Sequence, residues 1–375
     1  MGYQNVFIMG ATGNIGQALI SQIYDYKDHK KELHANPTRI VGLACRSRIE
    51  YNASGFSEDY ARSFRGTGKG QDDLDPIKGF VSQSGLEEKI IFIDVTAAGD
   101  EMTELHKQIM QETHHGIVTA NKNPLVADMK TFNILASEPG RYGYRCSVMA
   151  GAEAVNKVRD LRDLGDMAVR IEGIFSGTLA YICSELETGR AFSDIVRQAK
   201  DKGYTEPNPA NDLDGSDAAK KLLILARTAG YFVDYEDTQI NPFVPQEFLN
   251  EKDPDALIQQ LKALDKDFRK RAADAKKRDD CLRYIARFEL INGQPLLNVG
   301  LEEVPKDSDL GSTHGRMNQI AVVSKTHPKE QPYIVKAAGA GKEITAQNIR
   351  RDLLDQIPQR VISNVSQYLP VNAVR

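Results

Sequence analysis

The sequence predicts an α/β protein of two domains, the first built on a parallel sheet and the second on a mixed sheet. A chain of 375 residues is long for a single hydrophobic core, so two domains of ordinary size are expected. The chain opens with an apolar run, a glycine-rich turn and an amphipathic stretch, which is the order of a strand, a turn and a helix. Much later, two apolar runs meet at Asn292-Gly293, which is typical of an antiparallel hairpin.

Composition limits the partners that are expected. Hydrophobic residues make up 41% and charged residues 27%, as in a soluble globular protein, and the net charge of −4 favours neither nucleic acid nor an anionic membrane. The first ten residues have no basic leader and no small-residue cleavage site, which predicts a cytoplasmic protein. The cysteines are scattered without a CxxC pair, so we expect buried free thiols and no metal site: Cys45, Cys146, Cys183 and Cys281.

The glycine-rich turn gives the first functional signal. Residues 5–9 are predicted to form a strand, and G-x-x-G-x-x-G follows directly before a helix. In this arrangement the glycines let backbone N–H groups and the helix N-terminus approach a pyrophosphate, which predicts a Rossmann-type dinucleotide-binding domain. The candidate cofactor residues in this turn are Gly10, Thr12, Gly13, Asn14, Ile15 and Gly16.

The next predicted strand, residues 39–45, bears on the choice of cofactor. An acidic residue at its end would favour NAD, but Arg46 and Arg48 stand there instead. Arginine can hold a 2′-phosphate, so NADP is predicted, with NAD possible and solvated strand-end arginines as the alternative. Residues 51–85 are predicted to be a long surface excursion with some helix.

Three more strands are predicted in the first domain, at residues 90–95, 116–120 and 144–148. Because ligands bind beyond the carboxyl ends of such strands, Thr96 is expected near the cofactor. Lys122 follows the second of these strands in the segment TANKNPLV. Considered alone, it would be a surface charge.

The second domain is predicted from a mixture of strands and helices. Strands are expected at residues 169–174, 282–290, 296–304, 318–323 and 333–336, which gives a mixed sheet with helices on one face. Helical patterns lie through Leu186, at residues 195–199 and 256–277 and in the segment that carries Asp217, and a final helix is expected at residues 345–357.

The stretch at residues 203–225 is the most informative part of this domain. A polar loop ends at Gly215, Asp214 is a plausible N-cap, and apolar residues then recur at helical spacing. Asp217 and Lys221 stand four residues apart on one helical face, and four apolar residues follow the lysine. This spacing alone would suit a solvated surface ion pair.

The same stretch resembles the signature of homoserine dehydrogenase, a Gly-Tyr-Thr-Glu-Pro loop leading to Asp-Leu-x-Gly-x-Asp and then a lysine. Asn208 departs from the pattern, because the family usually has an acid there. TANKNPLV, GIFSGTL at residues 173–179 and Ala338-Gly339-Ala340-Gly341 resemble further family motifs, so the likeness extends from about residue 4 to 358. The matching residues of the main signature are Gly203, Tyr204, Thr205, Glu206, Pro207, Asp212, Leu213, Gly215, Asp217 and Lys221.

The resemblance implies an NADPH-dependent enzyme that interconverts aspartate 4-semialdehyde and homoserine in threonine and methionine biosynthesis. It implies a nucleotide-binding domain at residues 1–145 with 340–375, and a catalytic and dimerisation domain at 146–339. A small-molecule substrate and a second copy of the chain are the implied partners.

The resemblance also implies roles for individual residues. Lys221 would donate a proton to the carbonyl oxygen, and Lys122 would assist beside the nicotinamide and substrate. Glu206 would bind the substrate's amino group, and Asp217 would orient the substrate or Lys221. The remaining implied residues are Asp212 and Thr178 for substrate and Gly341 for cofactor.

One segment departs from the family pattern and keeps alternatives open. Arg145 replaces an acid that holds a monovalent cation in some relatives, and residues 148–153 differ from the usual Val-Gly-Ala-Gly-Leu-Pro. The changed loop allows a related amino alcohol as substrate, or a regulatory protein that binds NADPH. The GATG spelling of the glycine turn also occurs in cysteine-dependent aspartate-semialdehyde dehydrogenases, although no cysteine here lies in a matching motif.

Overall fold

The structure, a computed structural model, describes residues 2–34, 37–67, 74–83 and 88–357. The chain divides into two compact units. The first runs to Cys146 and resumes at Lys342, and the second is Ser147–Gly341. No helix within the described ranges is long and apolar enough to cross a membrane.

The first unit contains one sheet. Its strands are β1 (Gln4–Met9), β2 (Thr38–Cys45), β3 (Arg48–Tyr51), β4 (Ile90–Asp94), β5 (Gly116–Thr119) and β6 (Tyr142–Gly143). The helices that accompany them are α1 (Asn14–Asp25), α2 (Glu58–Ser63), α3 (Asp75–Gln83), α4 (Asp100–Glu112), α5 (Asn123–Val126) and α6 (Met129–Ala136).

The strand order β3-β2-β1-β4-β5-β6 places β1 in the middle of this sheet. β3 pairs antiparallel with β2, and the other neighbours are parallel. Every residue of β1 is buried, because helices cover both faces of a parallel sheet. The predicted Rossmann-type fold is confirmed, and the carboxyl ends of β1, β2 and β4 lie side by side.

The second unit contains the other sheet. Its helices are α7 (Ala154–Asp163), α8 (Gly177–Leu186), α9 (Phe192–Asp201), α10 (Ala210–Leu213), α11 (Ser216–Thr228), α12 (Gln246–Leu249), α13 (Pro254–Leu261) and α14 (Asp265–Lys277). Its strands are β7 (Arg170–Ile174), β8 (Thr238–Ile240), β9 (Asp280–Ile291), β10 (Gln294–Pro305), β11 (Met317–Val323) and β12 (Tyr333–Ala338). The chain then returns to the first unit with α15 (Lys342–Asp355).

This sheet has the order β12-β11-β7-β9-β10-β8 and is mixed, since β8 runs parallel to β10 while the other pairs are antiparallel. The predicted hairpin is present, with twelve residues in each strand. Asn292 and Gly293 have φ values of 52° and 79°, the two positive angles that a tight two-residue hairpin turn needs. The mixed-sheet fold predicted for the second domain is confirmed.

Three local predictions differ from the structure. Residues 144–148 do not form a strand: pairing with β5 stops at Gly143, and a 3₁₀ turn follows at Arg145–Ser147. Asp214 does not cap α11, because Gly215 occupies the N-cap position and the Asp214 carboxylate accepts a hydrogen bond from the Ser216 N–H. The predicted helix at residues 256–277 is two helices, α13 and α14, joined by a 3₁₀ turn at Lys262–Leu264.

The surface excursion at residues 51–85 contains α2 and α3, as expected, and begins with β3, which was not predicted. Residues 68–73 and 84–85 of this segment lie outside the described residues.

Candidate active site

A cavity of about 630 Å³ lies at the carboxyl ends of β1, β2 and β4. Much of its wall is apolar, with few polar groups, which suits a nucleotide-sized ligand. Apolar wall residues are Met9, Ala44, Ile49, Leu74, Ile77 and Val95. Five predicted cofactor residues also line it: Gly10, Thr12, Gly13, Arg46 and Thr96.

The glycine turn brings backbone close to this cavity. Gly10 has a φ of +89°, and a Cβ at Gly16 would lie 2.3 Å from the Gly10 carbonyl oxygen. A side chain at Gly16 would therefore push α1 away from the turn, and one at Gly10 would be strained by the positive φ. Gly13 is the N-cap of α1, and Asn14 and Ile15 begin its first turn, where a helix leaves N–H groups without internal partners.

The two predicted phosphate-binding arginines have different surroundings. Arg46 is exposed and lines the cavity. The Arg48 guanidinium donates to Glu50 at 2.6 Å and to the Tyr60 hydroxyl at 2.9 Å, and it lies over the Phe64 ring. Arg46 is the better candidate for a 2′-phosphate, because it lines the cavity and Arg48 does not.

Asp94, at the end of β4, is a residue whose importance the sequence interpretation missed. Its carboxylate is fully buried and accepts hydrogen bonds from the Thr96 hydroxyl at 2.7 Å and the Asn121 amide at 3.0 Å, and His106 Nε2 lies 3.3 Å away. These bonds tie the loop after β4 to the loop after β5, which carries Lys122. The available signal was an acid at the last position of an otherwise apolar strand, IIFID.

Lys122 lies at the N-cap position of α5, and its carbonyl accepts from the N–H groups of Leu125 and Val126. Its side chain is half-buried. Gly341, another predicted cofactor residue, is the last residue of the second unit and has a φ of +144°, which favours glycine.

The predicted lysine and acid meet in the second unit. Lys221 is only 9% exposed, and its Nζ donates to the Phe175 carbonyl at 2.6 Å and pairs with the Asp217 carboxylate at 2.7 Å. An ammonium group has three donors, so two are held by these contacts. This is not a solvated surface pair, because the lysine is buried on a helix whose next four residues are fully buried.

Asp212, whose carboxylate interacts with the charge of Asp217, links this pair to three further residues on neighbouring segments. The Asp212 carboxylate accepts from the Glu206 N–H at 2.8 Å, and the Thr178 hydroxyl donates to the Tyr204 carbonyl at 2.6 Å. Burial raises the pKa of Asp212 to about 6, and the charges of Glu206 and Asp217 add to this, whereas the hydrogen bond from the Glu206 N–H and the nearby Thr178 hydroxyl oppose it. The arrangement concentrates negative charge beside one buried cation.

Gly215 fixes the start of α11 and thereby the position of both charged residues. It has a φ of +76°, and a Cβ there would lie 1.9 Å from the Tyr284 hydroxyl. Asp217 then falls in the first turn of α11, where the helix dipole favours a carboxylate, and Lys221 lies one turn further on.

Arg145, where the family usually has an acid, is 2% exposed and bonds to two carboxylates of α15. Its Nε donates a hydrogen bond to the Asp352 carboxylate at 2.6 Å, and its Nη2 donates one to the Asp355 carboxylate. Burial raises the pKa of Asp352 to about 6, although the Arg145 charge opposes this. Among the described residues, no group of three or more His, Cys, Asp or Glu side chains is arranged to hold a metal ion.

The altered segment after Arg145 has an unusual backbone. Met149, Ala150 and Glu153 all have φ values near +50°, and Met149 stands where relatives usually carry glycine. Left-handed conformations are costly for such residues, so this loop stores strain that glycine would relieve.

The cysteines do not resemble the nucleophile of an aldehyde dehydrogenase. Cys146, Cys183 and Cys281 are buried free thiols, and burial raises the pKa of each, that of Cys183 to about 12. Cys45 is half-buried in the cavity wall. The prediction of buried free thiols thus holds for three of the four.

Comparisons with known proteins identify the same family that the sequence motifs resemble. The homoserine dehydrogenase family profile matches residues 154–354. A homoserine dehydrogenase from Saccharomyces cerevisiae is 32% identical over 253 residues, which cover 65% of this chain and 69% of the yeast protein. A chloroplastic bifunctional aspartokinase/homoserine dehydrogenase 2 from Zea mays is 30% identical over 348 residues, and the match covers 91% of this chain but 37% of the maize protein.

A hyperthermophilic archaeal homoserine dehydrogenase solved in complex with NADPH has the same fold. Its TM-score is 0.67 at 20% sequence identity, and the match covers 95% of this chain and 98% of the archaeal chain.

Proposed function

This chain belongs to the homoserine dehydrogenase family, and we propose that it interconverts aspartate 4-semialdehyde and homoserine with NADPH as the hydride donor. The observation that carries the proposal is the buried Lys221, whose ammonium group is held by Asp217 and the Phe175 carbonyl. A cation fixed in this way is oriented before the substrate arrives, so little reorganisation is needed during the reaction.

Binding of the amino-acid substrate is assigned to the acids around Lys221. Both substrates carry an ammonium group, and Glu206 and Asp212 lie together through the hydrogen bond between the Glu206 N–H and the Asp212 carboxylate. Glu206 is exposed, so its carboxylate is accessible to the ammonium group. Asp217 orients Lys221, and Thr178 holds the Gly203–Pro207 loop through the Tyr204 carbonyl.

The proton transfer follows from the negative charge that develops on the carbonyl oxygen of the substrate. When bound, NADPH supplies a hydride to the carbonyl carbon of the semialdehyde. Negative charge then grows on the carbonyl oxygen, and Lys221 stabilises it and gives up one proton to form the alcohol of homoserine. In the reverse direction the neutral lysine takes the hydroxyl proton. Lys122 assists as a second cation.

The first unit is assigned to nucleotide binding. Its cavity combines the glycine turn with Arg46, whose guanidinium matches the 2′-phosphate that distinguishes NADP from NAD. Gly341 contributes to the same function. The second unit is assigned to catalysis and dimerisation, and we place the protein in the cytoplasm as a homodimer; sedimentation velocity and cell fractionation test these two assignments.

The chain spans 37% of the length of the maize relative, so the activity must be tested on this chain directly. The test follows NADP reduction spectrophotometrically with homoserine as substrate. Saturable reduction supports the proposal. NADPH binding without turnover would instead indicate a regulatory protein, and turnover with another amino alcohol alone would reassign the substrate.

A further inference from the structure

Two loops of the first unit are joined by a buried carboxylate, that of Asp94 at the end of β4. One loop, residues 95–99, lines the cavity assigned to NADPH, and the other carries Lys122. We propose that Asp94 is a positioning residue, which holds Lys122 in register with the bound cofactor so that the cofactor and the lysine act as one unit. The inference rests on the proposed function, because it concerns the place of Lys122 relative to NADPH.

The two carboxylate oxygens of Asp94 serve different loops. Oδ1 accepts hydrogen bonds from the Thr96 N–H at 2.9 Å and from the Thr96 hydroxyl at 2.7 Å. Oδ2 accepts one from the Asn121 amide at 3.0 Å, and His106 Nε2 lies 3.3 Å from the same oxygen. The carboxylate is fully buried, where an acid is costly unless donors surround it. Because a carboxylate has two acceptor oxygens, it binds donors from both loops at once, which a neutral amide with one oxygen cannot do.

The asparagines on either side of Lys122 extend this link. Asn121 is buried, its NH2 group also donates to the Ala98 carbonyl at 2.8 Å, and its oxygen accepts from the Asn123 N–H at 3.0 Å. The Asn123 amide donates to the Ala97 and Ala98 carbonyls at 3.2 and 3.1 Å. Lys122 is therefore the central residue of a tripeptide whose two ends are both bonded to the loop that lines the cavity.

This network couples the cofactor to the lysine. A ligand that packs against residues 96–99 restrains the carbonyls to which Asn121 and Asn123 donate, and these side chains in turn restrain the backbone of Lys122. A cation that assists the reaction must be placed accurately, since a displacement of about 1 Å can cost about 100-fold in rate. NADPH binding therefore places Lys122 before the semialdehyde arrives.

Asp94→Asn tests the proposal with little change of shape. Its single amide oxygen can still accept from Thr96, but its NH2 group would face the NH2 group of Asn121, so the link between the loops is lost. We expect kcat to fall by about 10- to 100-fold, while the Kd for NADPH measured by fluorescence changes by less than about threefold. In a Lys122→Ala background, which lacks the group that Asp94 positions, the same substitution should lower kcat further by less than about twofold.

Amide hydrogen exchange measures the coupling without turnover. In the wild-type protein, NADPH should slow the exchange of residues 120–126, because it restrains the loop to which they are bonded. Asp94→Asn should bind NADPH but lose this protection. Asn123→Ala breaks the second link and leaves Asp94 and His106 intact, so it should lower both the protection and kcat, and it tests the coupling even if Asp94→Asn does not fold.

Asp128→Asn is the matched control. Asp128 also accepts hydrogen bonds from the N–H and the hydroxyl of a threonine, Thr131, but it caps α6. This variant should leave kcat, NADPH binding and exchange within about twofold of the wild type. An equal loss of kcat in the wild-type and Lys122→Ala backgrounds, an unchanged kcat in Asp94→Asn, or protection by NADPH that persists in that variant would overturn the proposal. An inactive wild-type enzyme would instead indicate failure of the proposed function, and the exchange experiment would still test the link.

Discussion

The cavity of the first unit and the lysine site of the second unit are built in different ways. The cavity depends on backbone: a glycine turn, a helix N-terminus and the ends of three parallel strands. The lysine site depends on side chains that hold one another, with Lys221 and Asp217 paired and Asp212 bonded to the Glu206 N–H. A backbone-built site spreads binding over many weak donors, whereas a side-chain site concentrates its chemistry in a few atoms. Single substitutions should therefore matter more in the second unit.

The largest expected effect follows from Lys221→Ala. Loss of the proton donor should lower turnover by about 10²–10⁴-fold, the usual range for general acid catalysis. NADPH binding measured by fluorescence should stay near normal, because the residues that line the cavity belong to the first unit. The comparison of steady-state turnover with binding separates these two effects.

Lys220→Ala is the control for this variant. Lys220 points about 100° away from Lys221 around the helix, so most activity should remain. Equal impairment of the two variants, or a nearly fully active Lys221→Ala enzyme, would remove Lys221 from the mechanism and leave Lys122 as the candidate donor.

The next effect concerns the pH dependence of substrate binding by Asp212 and Glu206. The pKa of Asp212 is raised to about 6, so the carboxylate becomes neutral below that pH and loses its attraction for the substrate's ammonium group. We expect kcat/KM for homoserine to fall by up to about tenfold per pH unit below about pH 6. Thr178→Val removes the nearby hydroxyl that lowers this pKa, so the acid limb should move to higher pH. If the acid limb does not move, the titration of Asp212 is not the cause of the fall in kcat/KM.

Asp212→Asn distinguishes this loss of function from unfolding. Because the folded-state pKa lies above the ordinary value of 3.8, the folded protein binds the proton more tightly, and this carboxyl contributes less stability as pH rises through about 4 to 6. The neutral amide should therefore not lower the melting temperature at pH 8, although it should abolish the acid limb. A large fall in melting temperature would contradict this account.

A single substitution in the cavity of the first unit should have a smaller effect on the kinetics. Arg46→Ala is expected to raise the KM for NADP by roughly tenfold or more and to leave the KM for NAD unchanged, because a charge-assisted bond to the 2′-phosphate contributes about 1.5–3 kcal/mol. Arg48→Ala serves as the matched control, since Glu50 and Tyr60 already hold Arg48. If Arg48→Ala alone impairs NADP binding, the assignment of the two arginines is reversed.

The sequence predicted backbone-built features more completely than side-chain contacts. Gly10, Gly13 and Gly16 specify a turn by their spacing, and the spacing of Asp217 and Lys221 places them on one helical face, since both patterns are local. The partners of Arg48 were not predictable, because Tyr60 approaches it only in the folded chain.

The local pattern of apolar residues is also a limited guide to secondary structure. Tyr144 and Val148 are buried, as in the predicted strand, but burial alone does not distinguish a strand from the turn that Arg145 begins. The pairing of Arg145 with Asp352 joins residues that are 207 positions apart, so no local sequence pattern predicts it.

The smallest expected effect is the response to monovalent cations. Arg145 brings a permanent positive charge to the position where relatives usually have an acid, and it is buried against Asp352 and Asp355. A sodium or potassium ion at this position would be repelled by the guanidinium and would have to compete for carboxylates that Arg145 already occupies. Replacing sodium by potassium, or either by tetramethylammonium at constant ionic strength, should therefore change turnover by less than about twofold, an estimate that allows for residual differences in surface screening. Initial rates measured across a titration of each chloride salt test this expectation. Saturable activation by sodium or potassium, absent with tetramethylammonium, would show that a cation binds elsewhere and that Arg145 has not replaced it.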